Sequence, residues 1–231
     1  MSICKICFKE IKITSPSEIL NNFSLCSDCY FSLKPGLRKI KLNTEKGYCL
    51  YSYEESMKSL IYQFKGCGDY ELKDVFLSRY KNLLRLLFKK YTLVPAPSYE
   101  AHNKERGFNH IIEIFSVLAL PICDCLIKNK DIKQSDLKKT EREKIGNYLS
   151  IKEGTDLKNK KVLFVDDILT TGSTAKACIN LIKGAGAKKV MFLVLAHPPF
   201  PEKSIFNRIK EKFLRIFHLH KFSNGGLFWK N

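Results

Sequence analysis

Apolar positions along this chain follow two rhythms. Short, dense runs at Tyr48–Tyr53, Thr92–Val94, Lys161–Val165 and Val190–Ala196 predict strands. Between them, apolar residues recur three and four positions apart and predict helices. Met57, Leu60, Ile61 and Phe64 mark one that ends at Lys65-Gly66. Leu72, Val75, Phe76, Leu83, Leu84 and Leu87 mark a second, and Ile111, Ile112, Phe115, Leu118 and Ala119 a third. Ala175, Cys178, Ile179 and Ile182 form one face of a fourth, closed by Gly184 or Gly186. Strands alternating with helices predict an α/β domain with a parallel sheet and crossover helices. Residues Lys128–Lys144 are polar without period and read as a long loop. The basic run Leu37–Lys46, after Pro35-Gly36, reads as a linker or an edge segment.

A length of 231 residues suits one such domain with a small satellite. The division expected is a four-cysteine module over 1–40, an α/β domain over 41–199 and a basic tail over 200–231. Ile205, Ile209, Phe213 and Ile216 could form one stripe of a helix in that tail, which carries a net charge of +5. Such a helix either packs on the core or meets nucleic acid or a membrane surface. The whole chain has 40 Lys and Arg against 23 acids, a net of +17. That excess suits polyanionic partners (nucleic acid, phosphorylated small molecules, anionic membrane) or is simply a lysine-rich surface. No stretch approaches the roughly 18 apolar residues of a membrane helix, so no transmembrane segment is expected. The start MSICKICFKE lacks the apolar core of a secretory signal, so the expected location is cytoplasmic.

Four of nine cysteines share a pattern: Cys4-x-x-Cys7 and Cys26-x-x-Cys29, with 18 residues between the pairs. Two intervening residues let a tight turn aim both thiolates at one point, and two such turns complete a tetrahedron around Zn²⁺. A segment of roughly 40 residues buries too little apolar surface to fold alone, and bound metal makes up the deficit. The expectation is closed, structural zinc. Redox use of one pair and a metal-free module are the alternatives. Cys123 and Cys125 read as ordinary buried or half-buried thiols.

The strongest chemical signal is Val165-Asp166-Asp167-Ile168-Leu169-Thr170-Thr171-Gly172-Ser173-Thr174. It leaves an apolar strand and enters a helix. Amides at a helix N-terminus form an anion site, and the hydroxyls of Thr170, Thr171, Ser173 and Thr174 enrich it. Two acids just upstream repel a phosphate but accept hydrogen bonds from sugar hydroxyls. Together they describe a ribose 5-phosphate, whereas a P-loop needs Gly-Lys-Ser/Thr and no paired acids. The plain alternative is an acidic strand end followed by a capped helix.

This segment resembles the phosphoribosyl pyrophosphate motif of type I phosphoribosyltransferases. Residues 4–197 resemble the ComF family, competence-associated phosphoribosyltransferase-like proteins. Carrying the resemblance are the cysteine knuckles, Ile61-x-x-Phe64-Lys65 before Gly68-Asp69, and Val94-Pro95-Ala96-Pro97. Arg106-Gly107-Phe108-Asn109, Gln134-x-x-Leu137, Glu141-Arg142 and the Asp166–Thr174 loop complete it. The family pattern usually has Val at Ala96, Gln at His110 and Asn at Ile145. The resemblance implies a type I phosphoribosyltransferase-like parallel sheet flanked by helices, with a small zinc-ribbon-like module in front. It implies that Asp166 and Asp167 hold the ribose hydroxyls and that Thr170, Thr171, Gly172, Ser173 and Thr174 bind the 5-phosphate. Pro95, Ala96, Pro97 and Ser98 would form the pyrophosphate loop. Lys104 and Arg106 would meet the pyrophosphate, with Arg142 reaching over from a mobile lid. Mg²⁺ would accompany the ligand, held mainly by ligand oxygens and water. Two functions follow. One is a phosphoribosyl pyrophosphate-binding protein of DNA uptake in natural transformation, with single-stranded DNA and a competence helicase as partners. The other is an active, Mg-dependent phosphoribosyltransferase of nucleotide salvage or a related pathway. His102, His110, His197, His218 and His220 read as surface or packing residues.

Overall fold

A computed structural model describes residues 2–11, 24–129 and 148–199. Its elements are α1 (Ser27–Ser32), β1 (Pro35–Leu42), β2 (Glu45–Ser52), α2 (Glu55–Gly66) and a 3-10 turn (Tyr70–Asp74). Next come α3 (Lys81–Phe88), β3 (Thr92–Pro95), α4 (Glu100–Arg106), α5 (His110–Ser116), β4 (Leu126–Lys128) and β5 (Leu149–Ile151). The last are β6 (Lys161–Ile168), α6 (Ser173–Gly184) and β7 (Lys189–His197). Five strands make one sheet in the order β1-β2-β7-β6-β3. Phe164 of β6 pairs in parallel with Phe192 of β7 and with Val94 of β3, and Gly47 of β2 pairs with Phe192. The expected parallel α/β sheet is therefore present, with β1 added antiparallel at one edge. The basic run is that edge strand. Lysines at Lys39 and Lys41 discourage another strand from pairing there.

Strand alternation divides the core into two. Leu163, Val165, Leu193 and Leu195 face one cluster, built with Met57, Leu60, Ile61 and Phe64 of α2 and Ile111, Ile114 and Phe115 of α5. Val162, Phe164, Phe192 and Val194 face the other, built with Ala175, Cys178, Ile179 and Ile182 of α6. A Cβ at Gly47 would lie 2.5 Å from the Phe192 ring, so that ring can cross the sheet only over glycine. The front segment belongs to the first cluster: Cys4, Leu25, Tyr30 and Leu33 are buried with Tyr51, Phe76 and Tyr80. Arg79 donates to the Tyr30 carbonyl oxygen at 2.5 Å, and Lys5 pairs with Asp74 at 3.0 Å.

Several elements differ from expectation. The second predicted helix is a 3-10 turn, further turns and then α3, which starts only at Lys81. The two apolar sets thus lose their common phase. Leu72, Val75 and Phe76 are buried, whereas Leu83 and Leu87 remain 43% and 49% exposed. Strand β6 does not stop at Val165 but runs through both acids to Ile168. Helix α4 has no buried residue, and β4 and β5 have three residues each, so none carried a readable period. Of the predicted Lys128–Lys144 loop only 128–129 are described, with Lys128 closing β4, and 130–147 lie outside the described residues. The chain divides after His197 into Met1–His197 and Pro198–Asn231. The predicted basic helix over 200–231 lies outside the described residues. Among the described residues no helix is long and apolar enough to cross a membrane.

Candidate functional site

Because β3 and β6 are parallel neighbours, with Pro95 opposite Val165, both leave the sheet at one edge. In open α/β sheets the crevice beyond the strands' carboxyl ends is where ligands bind. The Ala96 amide donates to the Val165 carbonyl oxygen at 2.8 Å and carries the pairing one step further. Pro97 and Ser98 then turn away, and the Ser98 hydroxyl donates to Asn103 Oδ1 at 2.8 Å. On the β6 side, the Leu169 amide donates to the Ala196 carbonyl oxygen at 2.9 Å before the chain enters Thr170-Thr171-Gly172. Gly172 has φ +75°, and a Cβ there would lie 2.4 Å from Leu42 Cδ1 of β1. Conformation and space both require glycine. As N-cap of α6 it has no side chain to cover the first-turn amides. Thr170 and Thr171 are exposed, and the Thr171 and Ser173 hydroxyls lie 3.1 Å apart. The five predicted residues Thr170–Thr174 therefore form one amide- and hydroxyl-lined turn at the sheet edge where Pro95–Ser98 also emerges.

The two acids are not equivalent. Successive residues of a strand face opposite sides, so Asp167 lies with α2 and α5 and Asp166 toward α6. Asp167 Oδ2 lies 3.1 Å from Lys65 Nζ and 3.3 Å from His110 Nε2, and Oδ1 accepts from the Ile168 amide at 2.7 Å. Burial alone would raise its pKa; Lys65 and then His110 outweigh burial and hold it well below the usual carboxylate range. Half-buried Asp166 accepts from the Asp167 amide at 2.9 Å. Burial, then the Asp167 charge, pushes its carboxyl well above the ordinary value. One carboxylate is thus firmly ionised inside a polar network, while its neighbour gains a proton readily.

The predicted cations separate. Lys104 lies on the exposed surface of α4, paired with Glu100 at 2.9 Å. Arg106 turns inward: Nε donates to the Lys65 carbonyl oxygen at 2.7 Å, and Nη1 lies 3.2 Å from His110 Nδ1. Arg142 lies outside the described residues. His110, read as a surface or packing residue, is instead a buried partner of Asp167. Lys65 was recognised only as part of a family motif. Its signal was its place four residues after Ile61, at the end of an otherwise apolar stripe.

At the front, Cys4, Cys7, Cys26 and Cys29 bring their sulfurs within 4.8 Å of one another. Cys7 and Cys26 Sγ are 3.7 Å apart. Four sulfurs about 2.3 Å from a tetrahedral ion are spaced by roughly 3.8 Å, so the set fits a metal. All four are free thiols. Burial raises the Cys4 pKa, but backbone hydrogen bonds from Cys26, Cys7 and Ile6 outweigh it and bring the thiol down to about 7. The thiolate a metal needs is thereby favoured at Cys4, whereas burial raises the Cys26 and Cys29 thiols.

Residues 106–220 match the family profile described as Phosphoribosyl transferase domain. The chain is 29% identical over 215 residues to Competence protein ComFC of Streptococcus pneumoniae, covering 81% of this chain and 96% of that protein. It is 30% identical over 151 residues to Competence protein ComFC of Bacillus subtilis, covering 63% of this chain and 62% of that protein. Among solved structures, it is similar to purine phosphoribosyltransferase from Pyrococcus horikoshii at 23% identity and TM-score 0.35, covering 56% of this chain and 76% of that one. That looser likeness carries no weight beside the profile match and the sheet order. Sheet, carboxyl-edge turn and profile together define a phosphoribosyltransferase-type α/β protein. The likeness to these two competence proteins, together with the front cysteine cluster, narrows the resemblance further, to the ComF family.

Proposed function

We propose that this protein binds phosphoribosyl pyrophosphate at the carboxyl edge of β3 and β6 and acts in DNA uptake during natural transformation. The observation that carries the ligand is the Thr170–Thr174 turn, closed by a left-handed Gly172 at the same carboxyl edge of the sheet as the Pro95–Ser98 loop. On this reading Thr170, Thr171, Gly172, Ser173 and Thr174 take the 5-phosphate, and Asp166 and Asp167 the sugar hydroxyls. Pro95, Ala96, Pro97 and Ser98 border the pyrophosphate. Lys104, Arg106 and Arg142 supply positive charge near it. Lys104 would first leave Glu100, an exposed pair that solvent and salt screen. Mg²⁺, held mainly by ligand oxygens and water, would neutralise the pyrophosphate charge. Zn²⁺ is the metal that four cysteines at this spacing suit best, and its role would be structural. The division into a module over 1–40, a domain over 41–199 and a tail over 200–231 is one of role and not of packing, since the front segment shares its core with the sheet. Free thiols suit the cytoplasm. The process rests on the names of the two relatives. Single-stranded DNA suits the +17 charge, and a helicase partner rests on the family resemblance alone.

Calorimetric titration with phosphoribosyl pyrophosphate and Mg²⁺ tests the site. Wild type should saturate at one equivalent, and Thr171→Ala with Ser173→Ala should bind about tenfold more weakly, the loss expected for hydrogen bonds to a charged phosphate. A wild type that releases no heat, or a double variant that binds equally well, would sink the assignment.

The profile match supports a second reading, an active transferase. A nitrogen nucleophile would attack the ribose C1, and the bond from C1 to the pyrophosphate oxygen would break, its electron pair leaving with pyrophosphate. Catalysis would rest on positioning and charge, without a protein nucleophile. Pyrophosphate release with a panel of bases would establish it, and none with any base would end it for that panel.

A further inference from the structure

Four residues from four elements close a ring of hydrogen bonds beside the acid pair. Arg106 Nε donates to the Lys65 carbonyl oxygen at 2.7 Å, and Arg106 Nη1 lies 3.2 Å from His110 Nδ1. His110 Nε2 lies 3.3 Å from Asp167 Oδ2, and Lys65 Nζ lies 3.1 Å from the same oxygen. Guanidinium groups donate and never accept. Nδ1 must therefore accept from Arg106 and carries no proton. The one proton of the neutral ring is then on Nε2, where it points at Asp167. A second proton would have to face the guanidinium. Burial favours the neutral ring, Asp167 opposes this, and the nearby Lys65 and Arg106 charges add to the preference. Asp166 is the other ionisable group beside Asp167.

Without His110, Asp167 Oδ2 would keep only Lys65. That ammonium sits on a flexible stem with a side chain 44% exposed, and it can swing with the carboxylate. A buried imidazole fixed at both nitrogens cannot swing. We propose that His110 is a positioning residue of the sugar site: clamped between Arg106 and Asp167 as the Nε2–H tautomer, it holds the Asp167 carboxylate in its binding orientation. The proposal rests on the ligand reading above.

Two substitutions separate geometry from bulk. His110→Leu fills the space and removes both hydrogen bonds. His110→Gln can accept from Arg106 through its amide oxygen and donate to Asp167 through its amide nitrogen. Nitrogen NMR of ligand-free wild type should show Nε2 protonated and Nδ1 bare, unchanged down to pH 6. A protonated Nδ1, or a ring that titrates like an exposed histidine, overturns the proposal. Titration with phosphoribosyl pyrophosphate and Mg²⁺ should then find the Leu variant weaker by about tenfold or more and the Gln variant within about threefold of wild type. Should wild type fail to bind, the ligand reading falls and takes this role with it. Should wild type and the Leu variant bind equally, only this inference falls. It falls too if Gln proves as weak as Leu while both melt with wild type, because the polar contacts would then be irrelevant.

Discussion

Asp166 and Asp167 are neighbours in β6, yet their surroundings push their protons in opposite directions. Lys65 and His110 keep Asp167 ionised, and burial with the Asp167 charge raises Asp166. Between the ordinary value and its raised value, Asp166 holds more proton in the folded chain than in the unfolded one. Its contribution to stability therefore falls as pH rises through that window. Asp166→Asn removes the titration while keeping an acceptor for the Asp167 amide. The variant should melt above wild type at pH 8, and the gap should narrow as pH falls and Asp166 takes up its proton. Thermal melts at several pH values measure this, and a gap independent of pH would show that Asp166 is not strained by its neighbour. The acid pair was legible because strand, acids and hydroxyls are contiguous. Its partners were not, because Asp167 lies 102 residues from Lys65 and 57 from His110. Nothing in the local pattern around His110 distinguishes it from a histidine that merely packs.

Elements were readable where an apolar period lasts long enough. Helix α6 presents Ala175, Cys178, Ile179 and Ile182 to one core, and β7 is buried nearly throughout. Helix α4, the 3-10 turn and the β4–β5 pair are short or exposed and have no such period. The unforeseen contact that matters most joins two elements far apart in sequence. The end of β1 places Leu42 against Gly172 at the N-terminus of α6. Gly172→Ala should cost about 2–4 kcal/mol, from the left-handed backbone and the collision with Leu42 together. In a Leu42→Ala background the collision is gone, and the same change should cost about 1 kcal/mol. Urea midpoints of the four proteins measure the difference. Equal costs in both backgrounds would show that backbone conformation alone demands glycine, and that the edge strand places no limit on the anion turn.

For the molecule as a whole, the front cysteines matter beyond their own segment. Composition and spacing foresaw a separate small module. Residues on both sides of the knuckles instead share one core with the sheet: Leu25, Tyr30 and Leu33 pack with Tyr51, Phe76 and Tyr80. Outside the apolar contacts, Lys5, inside the first knuckle, ties it to Glu71 and Asp74 of the 3-10 turn. These pairs are partly exposed and weak on their own, so a metal bound there would supply most of the order around the four sulfurs. Since α1 leads directly into β1, disorder at the cysteines spreads to the strand that abuts Gly172. Removing the metal with a strong chelator should therefore lower the melting temperature of the main transition rather than release an independent minor one. A loss of ~3 kcal/mol corresponds to roughly 6–12 °C at this chain length. Adding Zn²⁺ back should restore it, and Cys26→Ser should mimic the chelated protein. If chelation produced only a small separate transition and left the main one in place, the front segment would be a satellite after all, and the shared core would not transmit its order.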